Sequence, residues 1–600
     1  MSDGPYVASP TFTDFTTYVR SISIHRGRSG EGDFETGTAQ IVLDNRSRLF
    51  DPFYTSGTYY GNLLPNRQIR IRSTIGVTTY DVFRGYVSGW PVKTTAAGFD
   101  STVTLQCFDA FGLLNDDHIP EDWSRYLIEL SSPVSYYPGN DPEGSVITDR
   151  GSQKLNLSLL VGTKLRESDS LGQGLAGTSV DVIGSLYQNL PGTFTEATTG
   201  DITIMTWYAA AQPNATSIML NQYGLNGSIF HRMRIEPNLP TLGQLRVTVT
   251  NNATGLFSQA NTANLGLNTF APQHVAATYT NATGAIQIYI NGTLSTTQTA
   301  TQSGIELLPT HFLEYAYTIL QETAIFSSVL TAAQINAIYS VGASNLVEAT
   351  NTRAARVLAT TSFPIGLTST SGTFVNSCAE ITNGGSVIPE LQLIANTEGG
   401  DVFVTKAGVI KLTDRNYIFT NTNSNTTQAT FSDAIPYVSL KYGTELGLEL
   451  NSDDIGNFCT VSLSGGGEVS ATVAASVSSF GTQAYNIASQ SATVAGAQAL
   501  ADFDVVIRSK LRATVSPLEV SVTDTDADWS TLLGLELLER FSVTRTPATG
   551  NAITQVMLVS AIDHTITPGD WNMVLTGSTR QTGYFILDKS SLDGTDVLFG

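Results

Sequence analysis

The side chains most able to do chemistry are charged groups at close spacing near the N-terminus. Arg26, Arg28, Asp44, Asn45, Arg46, Arg48 and Asp51 place alternating charges around one strand and its exit turn. An arginine fork grips a carboxylate through two parallel bonds, so this cluster suits polar latching within a barrel or across a ring interface. A local, solvated cluster accounts for the same spacing. The densest acidic groups are Asp453-Asp454 and the triplet Asp524, Asp526 and Asp528 in DTDAD. That triplet opens like a calcium loop but lacks the glycine and closing glutamate of an EF-hand, so a solvated turn is expected. Tyr136, Tyr137, Trp207 and Tyr208 could stack on sugar rings, and core packing is the other use of the same side chains.

Other motifs exclude more than they promise. Gly172-Gln173-Gly174-Leu175-Ala176-Gly177 has the dinucleotide spacing, which requires a buried strand before it and a helix after it. RESDSLGQG is no such strand, and TSVDVIGSL favours a strand over a helix, so no dinucleotide site is expected. Gly-x-Ser-x-Gly, HExxH and Walker motifs are absent from the sequence. Cys107, Cys378 and Cys459 are odd in number and far apart, and the six histidines are scattered, which leaves no disulfide framework and no zinc spacing. The sequons at Asn281 and Asn291 are expected by chance in a chain so rich in Asn and Thr.

The elements that must carry these residues are mostly strands. Charged residues make up 14% of the 600-residue chain, against roughly 25% in an average soluble protein. Thr, Ser, Asn, Gln and 53 Gly supply the polarity instead, a β-rich mixture. The length suggests roughly three to five domains. With 52 acidic against 31 basic residues the net charge is −21, which disfavours a clamp on nucleic acid but suits a channel that DNA traverses without adhering. No basic start with an apolar run marks a signal peptide, and no 18-residue apolar run marks a membrane span. Synthesis in a cytoplasm is expected.

Alternating strands run from YVRSISIHRG to DSTVTLQCFDAF, predicting a β-barrel over about residues 15–118. Beyond Leu130 the texture turns Asn/Thr/Gly-rich, and Ile286–Ile290 followed by Asn291-Gly292 predicts a hairpin within an antiparallel sandwich. Thr331-Ala332-Ala333-Gln334 is a capping box opening a helix that stops near Gly342. Further helices are predicted over Asn351–Ala359, from Pro389, and around Val494–Lys510. DVFVTKAGVIKLTDR reads as a hairpin turning at Ala407-Gly408, residues 464–496 as an extended loop or strand pair, and FSVTRTP with TQVMLVSAIDHTI as a terminal strand pair.

Two family resemblances follow from particular segments. SYYPGND, HVAATYTNATGAIQIYINGTL and ETAIFSSVLTAAQINAIYSVG make the region from about Ser132 to Gly342 resemble a laminin-G or concanavalin A-like sandwich. Glycosidases of that superfamily carry ExDxxE on one strand, whereas Glu306, Glu314 and Glu322 are differently spaced, so the resemblance implies a binding or spacer module. Some relatives bind calcium, and Asp141 and Asp149 are the nearest candidates, with no assignment made. On either side, SISIHRGRSGEGDFETGTAQIVLDNRSRLFDP, TRAARVLATT, PELQLIANTEGGDVFVTKAGVIKLTDR, ADWSTLLGLELLERFSVTRTP and AIDHTITPGDWNMVLTG resemble siphophage minor tail or tail-hub proteins.

Together these imply a mainly β chain with hub β-barrel domains, a small α+β middle region and an inserted concanavalin A-like (laminin-G-like) β-sandwich. The expected division is 1–125 barrel, 126–345 sandwich, 346–440 α+β middle and 441–600 C-terminal barrel. The tail-hub resemblance implies a homotrimeric ring in the virion's tail tip, closing or continuing the tail tube. Its implied partners are distal tail or tail-tube proteins, the tape-measure protein, tip fibre or central spike proteins, and DNA only in transit. A host cell-surface glycan is the expected ligand of the sandwich, and neither an enzymatic activity nor a cofactor is expected. The alternatives are a carbohydrate-binding receptor adhesin of the virion and a polysaccharide or cell-wall hydrolase.

Overall fold

The computed structural model describes residues 3–579 except 30–31, 96–97, 142–145, 155, 159–162, 169, 173–174, 176–178, 188–199, 211–219, 225–229, 251–255, 267–270, 301–313, 344–345, 365, 367, 380–383, 434–439, 451–454, 464–465, 512 and 522–525. The chain forms two compact units. One comprises Met1–Ile119, Val347–Glu380 and Gly385–Gly600, and the other Pro120–Leu346 with Ile381–Gly384. The second is therefore an insertion into the first.

The first unit, the scaffold, is built on a curled twelve-stranded sheet that draws on both ends of the chain. Strand Val19–Gly27 pairs antiparallel with Thr38–Asp44 on one side and with Ile553–Thr567 on the other, with Ile24 opposite His564. Gly27 is required by this pairing: its φ is +139°, and a Cβ there would lie 2.4 Å from the Ala561 backbone. Alternation along the N-terminal strands buries Ile24, Ile41, Leu43, Val82, Val103 and Leu105 in one core. Val515, Leu518, Phe541, Val559, Met573 and Leu575 build the core of the C-terminal strands.

Between them lie helices Thr350–Ala359 and Val387–Glu398 and a three-stranded sheet of Thr368–Ser371, Ile410–Thr413 and Val402–Val404. The second helix begins at Val387, two residues before the proline expected to open it; Pro389 still lies in the first turn, where its missing N–H costs nothing. The turn at Gly408 (φ +80°) joins the predicted hairpin. The described part of 464–496 contains strands Glu468–Thr472 and Ala484–Ile487 and also a helix, Ala474–Phe480, that was not expected. Ala474-Ala475 favour helix and Gly481 (φ +75°) ends it. Asp526 and Asp528 lie in the first turn of helix Asp526–Gly534 instead of in a turn; Asp524 and Asp453-Asp454 lie outside the described residues. No helix among the described residues is long and apolar enough to cross a membrane.

The inserted unit is a two-sheet sandwich. Its larger sheet runs Thr163–Ser168, Ser179–Tyr187, Glu314–Phe326, Ile202–Ala210, Gln273–Thr280, Ala285–Ile290 and Thr293–Thr299, with Ser135–Tyr137 also paired to Glu314–Phe326. The smaller runs Leu220–Gly224, Phe230–Pro237, Leu245–Thr250 and Phe257–Asn261. Ile202, Ile204 and Tyr208 from one sheet meet Met233, Ile235, Val247 and Val249 from the other in a common core. Asn291 (φ +49°) and Gly292 (φ +72°) turn the predicted hairpin, both in the left-handed region a tight turn of this kind demands. Helix Ala332–Gly342 carries the predicted capping box, with Thr331 and Gln334 bonded reciprocally.

Candidate functional site

The N-terminal charge cluster divides in two. Arg26 and Arg28 are buried on strand Val19–Gly27 and its exit. Arg26 donates through Nη2 to the Glu536 carboxylate and to the Val404 carbonyl at 3.1 Å. Arg28 donates to Asp401 at 2.8 Å and lies over the Phe34 ring. Glu536 also accepts from the Lys406 N–H at 2.8 Å, and the Lys406 ammonium caps the carbonyls of Leu533, Gly534 and Leu535. These two arginines therefore latch parts of the scaffold to one another; enclosed within the unit, they are not offered to a ring interface. Asp44 pairs with Arg46 and Arg20, and Arg48 with Asp51, as local pairs in which Arg46 and Arg48 remain exposed. Asn45 holds its turn by accepting from the Phe50 N–H at 2.8 Å.

The aromatic set proposed for sugar stacking is structural. Tyr136 and Tyr208 are 0% exposed, and Tyr137 and Trp207 are 4% exposed. Strand Ile202–Ala210 is buried on both faces: Tyr208 enters the core between the sheets, while Trp207 packs on the opposite face against Tyr339 at 5.8 Å. No ring of the four presents a face to a sugar.

Asp141 and Asp149, the calcium candidates, are engaged by backbone N–H groups. Asp149 accepts the N–H groups of Tyr136 (2.7 Å) and Gly151 (2.8 Å), and Asp141 that of Thr148 (3.1 Å), so both organise loop backbone. Among the described residues no three His, Cys, Asp or Glu side chains converge as a metal would require. Of the GxGxxG motif, only Gly172 and Leu175 are described.

Glu322 is a buried carboxylate at φ +52°, where the register slips opposite Met205–Trp207. The Tyr136 hydroxyl donates to it, as does Arg125 Nη2 at 3.4 Å, and Arg125 also meets Asp122 at 3.7 Å. Burial, with the nearby Asp122 charge adding to it, pushes the Glu322 carboxyl up to about 8. Glu306 lies outside the described residues, and Glu314 shares the Glu322 strand.

The outward face of the four-stranded sheet carries a constellation that no sequence motif announced. Its side chains stand in three rungs: Glu236 beside Arg246 and Asn261, Arg234 beside Thr248 and Gln259, and Thr250 beside Phe257. Glu236 is buried, accepts from Arg246 Nε at 2.9 Å and from the Thr248 hydroxyl at 3.3 Å, and forms an ion pair with Arg234, whose Nε lies 3.1 Å away. Gln259 donates to the Thr248 hydroxyl at 3.3 Å. Phe257, at the end of the face, is 60% exposed. The available signal was compositional: FHRMRIEP alternates charge with apolar residues in a region otherwise poor in Lys and Arg.

Residues 184–336 match the family model of the concanavalin A-like lectin/glucanase superfamily. The sandwich is concanavalin A-like. No curated protein matches the chain. Solved structures that match part of the chain include the binding domain of botulinum neurotoxin serotype D (13% identity, TM-score 0.27, covering 36% of this chain and 52% of that one). The same ligand-binding domain in complex with N-acetylneuraminic acid gives 14% identity and TM-score 0.27 over 36% and 52%, and the receptor-binding domain of botulinum neurotoxin type G gives 10% and 0.27 over 36% and 53%. The chain thus spans about half the length of these structures. The family match begins within the concanavalin A-like sandwich and ends in its capped helix.

Proposed function

We propose that this chain is a carbohydrate-binding adhesin subunit of a virion, in which a scaffold fixed in a long-tailed phage's tail tip carries the concanavalin A-like sandwich toward a host-surface glycan. The observation that carries this reading is the lectin/glucanase family match over residues 184–336, lying wholly within an insertion. Apolar platforms with a few convergent polar groups are what saccharide sites need. The proposal assigns the chain no catalysis: Glu322 is enclosed, and a glycoside hydrolase needs two carboxyl groups reached by substrate. The test is deletion of residues 131–344 in an infectious particle. Particles that assemble but fail to adsorb support the reading; normal adsorption overturns it.

A second reading, a tail-hub ring, is favoured by one observation. Strand Val19–Gly27 pairs with Ile553–Thr567, so segments before and after the insertion complete a single sheet. On this reading three copies close or continue the tail tube, contacted by the tape-measure protein, distal tail or tube proteins and tip fibres or a central spike, with DNA only passing through. Native mass spectrometry of the purified chain tests it: a trimer supports the ring, and a monomer at all concentrations counts against it.

A further inference from the structure

We propose that the outward face of the four-stranded sheet binds an oligosaccharide that bears a carboxylate, with Phe257 under one sugar ring and Arg234 and Arg246 at the acidic group. This rests on the carbohydrate reading above and names its site and ligand class. Arg246 donates Nε to Glu236, Arg234 Nε lies 3.1 Å from the same carboxylate as an ion pair, and the remaining guanidinium N–H groups of both make no hydrogen bond among the described residues. Their side chains are 27% and 22% exposed, so two guanidinium groups held beside one carboxylate reach the surface. One buried carboxylate between two guanidinium groups leaves a local positive charge in a chain of net charge −21. Carboxylate and phosphate both match the guanidinium fork in geometry, and a carboxylate is the acidic group that uronate and sialate rings carry.

The remaining face supplies what a sugar needs beyond its charge. Phe257 offers an exposed apolar surface to the C–H face of a pyranose. Gln259, anchored through Thr248, and the exposed Asn261 place amides beside it for hydroxyl groups. Phe257 and Asn261 are four residues apart on one strand, about 13 Å at ~3.3 Å per residue, which exceeds one sugar ring and calls for an oligomer.

The test uses the full-length protein on an array of uronate- and sialate-containing oligosaccharides, their neutral counterparts and a glutamate-rich peptide, with calorimetry on the strongest binder. Retention of acidic saccharides, weakened by salt, is expected. Phe257→Ala should weaken binding about tenfold or more at unchanged melting temperature. Arg234→Lys and Arg246→Lys, which keep a cation beside Glu236 but lose the fork, should erode the preference for acidic over neutral sugar. Acidic binding that all three variants leave within about twofold would place the site elsewhere while the carbohydrate reading stands. Binding of neutral sugars alone, or of the peptide as tightly, would overturn the carboxylate assignment. Binding of no saccharide would overturn this inference and the carbohydrate reading together.

Discussion

Arg26 and Glu536, 510 residues apart in sequence, form a buried ion pair that ties the first strand of the scaffold to the segment following helix Asp526–Gly534. Burial alone would raise a carboxyl group, yet Arg26 and Lys406 together hold Glu536 below its ordinary value. The pair acts where the insertion has separated the two parts in sequence, and the Val404 carbonyl, also bonded to Arg26, brings the middle region into the same latch.

Removing one partner should therefore be costly. Arg26→Met leaves Glu536 charged and enclosed, and should lower scaffold stability by about 3–5 kcal/mol in urea unfolding. The double variant Arg26→Met/Glu536→Leu should recover much of that loss, because the stranded charge goes with its partner. A single-variant cost below about 1 kcal/mol would show that the pair is not a latch.

Glu322 makes the sandwich sensitive to pH. Its folded value, about 8, lies above the ordinary 4.5, so the folded state binds the proton more tightly than the unfolded chain does. That contribution is fully present below about pH 4.5 and is lost as pH rises through about 8. Glu322→Gln should melt like the parent near pH 4.5 and at a higher temperature above pH 8, the gap widening with pH between the two. A gap that does not change with pH contradicts the assignment.

His25 titrates in the opposite setting, half-exposed at the sheet surface with its Nδ1 2.7 Å from Asp563. The hydrogen bond to Asp563 raises its pKa above 6.5. The pair's support of folding is present below about 6.5 and declines as pH rises through the raised value. NMR titration of the ring should give a midpoint above 6.5 that drops in Asp563→Asn; an unchanged midpoint would assign the shift elsewhere.

Trp207 and Phe257 should behave as opposites. Trp207→Ala removes a ring packed against Tyr339 and His274 and should destabilise the sandwich by about 3–5 kcal/mol. Phe257→Ala removes a ring that is mostly in water and should leave stability within about 0.5 kcal/mol. Thermal melts of the two variants separate core packing from surface platform.

Local features were legible in the sequence because their causes are local. The Asn291-Gly292 turn and the Thr331/Gln334 capping box depend on residues within three positions of one another, and both form as read. Core packing of Tyr136, Tyr137, Trp207 and Tyr208 was one of two uses the sequence offered, and only the structure chose it over sugar stacking. An aromatic pair on a strand looks the same whether one face or both are covered, and Ile202–Ala210 is covered on both. The Glu236 constellation was hidden, since Glu236, Arg246 and Gln259 come from three strands and meet only through the register. The Arg26–Glu536 latch shows the same limit at longer range: the sequence offers a basic cluster and several acids, and only the pairing of Val19–Gly27 with Ile553–Thr567 helps decide between them.

The most direct test of a carbohydrate-binding sandwich on an independent scaffold compares the full chain with one in which residues 131–344 are replaced by a short Gly/Ser linker, measuring binding of both to glycans released from the host envelope. The account predicts that the full chain binds and that the shortened chain unfolds cooperatively but binds nothing. Retained binding by the shortened chain, or no binding by the full one, would contradict it.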